Sequence, residues 1–101
     1  MTSQDAQHQD LEKELEWIIK IIPKRQFLER IKGFIEHPST IELFYIGSIE
    51  GGADSLTSIE RSSLWRLVGD MMDIAKEMGL KVLGYGIERD EHIFIVLSKY
   101  S

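Results

Sequence analysis

Two short stretches hold the residue types that could do chemistry. "RDEHIF", residues 89–94, sets Asp90, Glu91 and His92 side by side. A histidine beside carboxylates can act as an acid or base near neutral pH. "GSIEGGADS", residues 47–55, places glycines and hydroxyls between an apolar run and a helical pattern. A loop that leaves the carboxyl end of a strand and meets a helix N-terminus presents free backbone amides, where anions bind. Gly47, Ser48, Gly51, Gly52, Asp54 and Ser55 are the candidate ligand residues there. The spacing is neither a GxGxxG fingerprint nor a GKS or GKT phosphate loop. Glu50, Asp54 and Glu60 oppose Arg61 alone, a balance that favours a cation or a basic partner group over phosphate. It matches no calcium-loop pattern either.

The simpler reading of residues 47–58 is a connection, and that of residues 90–92 is hairpin-turn polarity. Glu50, Asp54 and His92 are the acid–base candidates, and no nucleophile–base pattern joins them. His8 and His37 form no metal-spaced pair with His92. Asp70 and Asp73, one helical turn apart, fall on a solvent face. The sequence therefore assigns no catalytic residue, no metal ligand and no cofactor.

The elements that must position these residues follow from periodicity. Residues 1–8 are polar and read as a disordered tail, leaving residues 9–101 as a single α+β domain. Leu11, Leu15, Ile18 and Ile22 fall at helical spacing, widened by Trp17, Ile19 and Ile21, and predict a first helix up to Pro23. Phe27, Leu28, Ile31, Phe34 and Ile35 predict a second, ending at "HPST". "TIELFYIG", residues 40–47, is rich in aromatic and β-branched residues and predicts a strand with both faces covered. "TSIE" at Thr57 is a capping-box pattern opening a third helix, which Gly79 ends. "KVLGYGIE", residues 81–88, and "HIFIVLSKY", residues 92–100, predict two strands joined by a short hairpin at "RD". The expected fold is α+β: two N-terminal helices followed by β-α-β-β, a small mixed sheet with helices packed mainly on one face. The β-α-β unit would set its two strands parallel. Gly84 and Gly86 share one face of their strand, which predicts either a closely packed helix or a ligand over bare backbone.

Composition narrows the function classes. The chain has 101 residues, no cysteine, and 17 acidic against 12 basic residues, a net charge of −5. Without cysteine there is no disulfide framework and no zinc–thiolate site. The acidic balance argues against nucleic acid, and with the lack of a third supporting helix nearby it also argues against reading the helix pair as a helix-turn-helix, which its outline allows. No apolar run is long enough for a membrane span, and the polar start is no signal peptide, which fits a cytoplasmic protein. Acidic residues concentrate in 1–16 and basic ones in 20–32, as two attracting helix faces or a small anion-docking patch would require. Trp65, Gly69 and Met72 line a shallow apolar stripe on the third helix, and Trp17 with Ile21 forms its counterpart on the first. Such anchors are enriched at interfaces. A chain this short has a small core, so its surplus apolar surface is expected to be hidden by a protein partner or in a homodimer. The leading reading is a small acidic protein-interaction module, a regulator, adaptor or inhibitor-type partner. The alternatives are a small-ligand module using the 47–58 loop with Gly84 and Gly86, and an acid–base enzyme.

Overall fold

Pro23 governs how the described chain begins. The computed structural model describes residues 18–100. The residue before a proline is pushed out of the helical region, and the β-branched Ile19, Ile21 and Ile22 favour extended backbone. Ile19–Ile21 accordingly form a strand, β1, where the spacing predicts the end of a first helix. The rest of that predicted helix lies outside the described residues. Ile19 is buried, Lys20 exposed and Ile21 half-buried, a period of two rather than 3.6.

Pro23 then opens helix α1 (Lys24–Glu36), whose Phe27, Ile31 and Phe34 are buried. Its end is closed by the His37 N–H on the carbonyls of Gly33 and Phe34, one residue before Pro38. Strand β2 (Ile41–Ile49) follows, then a one-turn 3-10 helix (Ala53–Ser55) and helix α2 (Ser58–Glu77). Thr57 caps α2 as its sequence predicts: its hydroxyl accepts from Glu60 N–H and the Glu60 carboxylate accepts from Thr57 N–H. Gly79, at φ +83°, turns the chain out of the helix. Strands β3 (Lys81–Glu88) and β4 (His92–Ser98) complete the fold.

The sheet is four-stranded and antiparallel throughout, in the order β1-β2-β4-β3. This corrects the expected mixed sheet. Strands β2 and β3 do run in the same direction, but β4 lies between them, so the β-α-β unit is split and the two never pair. β4 carries apolar residues on both faces, Ile93, Ile95 and Leu97 on one and Phe94 and Val96 on the other. A central position hides more of that surface than an edge. β3, with its two glycines, takes the edge.

Both helices pack on one face of this sheet. Phe27 and Phe34 of α1 meet Phe44 of β2 edge-on, at ring-centroid distances of 6.3 and 5.5 Å. Leu64, Val68, Met71 and Ala75 of α2 close the core over Ile93, Ile95 and Leu97. No helix among the described residues is long and apolar enough to cross a membrane.

Candidate functional site

The glycine loop is built as a joint. Gly47 and Ser48 belong to β2. A Cβ at Gly47 would collide with the Lys20 carbonyl oxygen, so glycine there admits the backbone of β1. Gly51 and Gly52 have φ of +78° and +86°. Beyond them the loop is tied to the β3–β4 turn. Ala53 N–H donates to the Asp90 carbonyl at 2.7 Å, and Asp54 N–H to the Asp90 carboxylate at 3.3 Å. Arg61 donates to the Ala53 carbonyl at 3.2 Å, and the Ser55 hydroxyl to the Gly52 carbonyl at 2.7 Å. Asp90 therefore occupies amides that a bound anion would need.

The turn itself is of the primed kind. Arg89 and Asp90 both have positive φ, +53° and +62°, and Glu91 N–H closes on the Glu88 carbonyl. Asp tolerates this region better than Arg, and the two bonds to the glycine loop hold it there.

The second candidate feature is the sheet face that carries no helix among the described residues. Register places Ile41, Leu43 and Tyr45 of β2, Phe94 and Val96 of β4, and Gly84 and Gly86 of β3 on it. Ile41, Leu43 and Tyr45 are 54%, 44% and 48% exposed. The prediction that both faces of β2 are covered is thus corrected. Its Phe44 side is core, and no helix among the described residues lies over its Leu43 side. The strand glycines change meaning with it. No heavy atom beyond its chain neighbours lies within 4 Å of a Cβ built on Gly84, so no helix packs there. At Gly86 the Phe94 ring lies across the bare backbone, with its Cζ 3.2 Å from the same construction.

One end of this face carries polar chemistry. The Tyr45 hydroxyl donates to the Glu88 carboxylate, and its ring meets His92 edge-on at 6.2 Å. With Arg89 these residues line a shallow, open depression. Donation to Glu88 holds the phenol proton, which raises the Tyr45 pKa above its ordinary value, with desolvation and the Glu88 charge adding to it. Tyr45 and Glu88 are 43 residues apart, and no local pattern links them. Pairing of both β2 and β3 with β4 brings them together.

The other predicted residues are dispersed. Asp54 and Ser55 line the glycine joint, whereas Gly84 and Gly86 lie on the open face, so the two halves of the predicted ligand site do not form one cavity. Trp17 lies outside the described residues. Ile21 is half-buried against the core and Met72 packs against it from α2. Trp65 is 39% exposed and meets Tyr85 of β3 edge-on at 5.6 Å. A Cβ on Gly69 would meet nothing within 4 Å. Among the described residues no group of three or more acidic or histidine side chains is placed to hold a metal ion. Comparison with protein-family models, curated proteins and solved structures finds no match to this chain.

Proposed function

We propose that this chain is a small acidic protein-interaction module whose contact surface is the sheet face that no helix among the described residues covers. The observation that carries the reading is the exposed row Ile41, Leu43 and Tyr45, continued by Phe94 and Val96 on the neighbouring strand. An antiparallel sheet with one solvated face normally alternates apolar-in with polar-out. Here the outward positions of two adjacent strands are apolar as well. A contiguous apolar patch rimmed by polar residues marks a contact site, and Lys20, His92, Glu88 and Lys81 supply the rim. The Trp65–Tyr85 pair is a second, smaller apolar patch on the helix side. The glycine loop acts as a structural joint in this reading.

The test compares a tagged wild-type chain with its Leu43→Lys and Val96→Lys variants, expressed in the same cells beside an untagged copy of the chain. The reading expects a protein, the untagged copy included, to be retained stoichiometrically by wild type, to rebind when purified, and to be lost from both variants. Equal retention by all three, or none by wild type, would reject the open face as a contact surface.

A further inference from the structure

We infer that the occupant of the open sheet face is a second copy of this chain, packed face to face about a two-fold axis parallel to the strands. The inference rests on the reading of that face as a contact surface and adds the partner and its orientation. Relief on the face is uneven. The β2 column is raised at Ile41 and Leu43, Tyr45 leans across β4 to Glu88 of β3, and the β3 column is low at Gly84, where a Cβ would meet no atom within 4 Å beyond its chain neighbours. A two-fold axis along β4, in the plane between two such faces, sets β4 on β4 and the β2 ridge of each copy over the β3 column of the other. Leu43 then enters the depression at Gly84. An axis across the strands would instead set ridge on ridge and leave the two depressions facing each other as voids, which protein interfaces avoid. Self-complementarity of this kind is what an isologous interface requires, and packed sheets keep their strands within about 30° of each other.

Charge agrees with this partner, and area makes the contact a weak one. Three strands about 4.8 Å apart and seven residues of about 3.3 Å each make a face roughly 14 by 23 Å. Two such faces bury on the order of 700 Å², below a standard specific interface, so the dimer is weak and transient. The apolar rows carry no charge. At the rim, the same axis brings Lys20 of one copy beside Glu88 of the other, so the contact does not add to the repulsion between two chains of net charge −5.

The chain has no cysteine, which makes cross-linking a clean test. Leu43→Cys and Gly84→Cys are prepared as separate variants, mixed and treated with a short thiol-specific cross-linker. Facing sheets lie about 10 Å apart, too far for a direct disulfide, and on this axis position 43 of one copy is nearer to position 84 of the other than to its own counterpart. The inference expects the mixed 43–84 product to outrun either homodimeric product. Wild type should show concentration-dependent dimerisation in sedimentation velocity. Gly84→Val, whose Cβ meets no atom beyond its chain neighbours inside one copy, should keep the wild-type circular dichroism while weakening the dimer roughly tenfold or more. A dominant 43–43 product would overturn the axis. A wild-type monomer at every concentration would overturn the second copy as occupant. In that case the thiol of Leu43→Cys decides between the remaining possibilities. If it reacts freely with a bulky maleimide, and a different protein is still lost from Leu43→Lys, the contact-surface reading stands without the second copy. If it is shielded in a monomer, the chain covers its own face, and both readings fall.

Discussion

Gly52 lies at φ +86° and ψ 159°, a region that glycine alone visits at low cost. A Cβ there would also stand 2.5 Å from the Asp90 carboxylate, displacing the group that accepts from Asp54 N–H. Gly51 has positive φ too, but a Cβ there would meet only the Ser55 hydroxyl, at an ordinary 3.5 Å. Gly52→Ala should therefore cost about 1–3 kcal/mol and Gly51→Ala about 1 kcal/mol, measured as midpoint shifts in urea. Equal, near-zero shifts would contradict the joint described for this loop. Tyr45 offers a second test at this scale. Its folded-state pKa is raised, so the contribution of the Tyr45–Glu88 contact is complete below the ordinary phenol range near 10 and is lost as pH rises through the folded value. The phenolate absorbance of wild type should contain a late component that Tyr45→Phe removes and Glu88→Gln moves to lower pH. A titration curve unchanged by Glu88→Gln would dissociate the two groups.

At the scale of elements, α2 is the part most completely written in local sequence. Thr57, Glu60 and Gly79 hold its two ends through bonds and dihedrals that need no tertiary partner. Thr57→Ala should remove the hydroxyl half of the capping box and cost about 1 kcal/mol, with Thr57→Ser retaining most of it. Thermal unfolding of the two variants side by side measures the difference. β1 is the opposite case. Leu11, Leu15, Ile18 and Ile22 satisfy a helical spacing, while Ile19-Lys20-Ile21 equally satisfies a strand. Local pattern gives both, and β2 decides: Lys20 pairs with Ser48 and Ile22 N–H donates to the Ile46 carbonyl at 2.8 Å. Gly47 is the residue that allows this approach, and its reason is invisible until β1 is beside it.

At the scale of the molecule, the sheet has two apolar faces and, among the described residues, helices for one. The asymmetry is testable within adjacent strands. Leu43→Lys should change stability by no more than about 0.5 kcal/mol, because the side chain is already exposed. Ile95→Lys, on β4 and wholly buried, should cost more than about 4 kcal/mol or prevent folding, because it leaves an unpaired charge in the core. Urea melts of dilute protein, where a weak dimer has dissociated, keep the comparison free of association. Similar losses for both would mean that the Leu43 face is covered.

Local decisions were legible in the chain alone: where α1, α2 and the strands β2, β3 and β4 lie, the Pro23 and Pro38 breaks, the capping box, the Gly79 stop and the "RD" hairpin. Each depends on dihedral preferences and hydrogen bonds within a few residues. Everything else waited for the folded molecule, because strand partners are chosen by contacts far apart in the chain. Insertion of β4 between β2 and β3 made the sheet antiparallel and placed Tyr45 within reach of Glu88. The same arrangement turned Gly84 from an expected helix contact into an open depression. Period-two patterning shows that the faces of a strand differ in position, but two apolar faces read alike until the helices have taken one of them. For this chain the face they leave is the one with Leu43 and Gly84 on it.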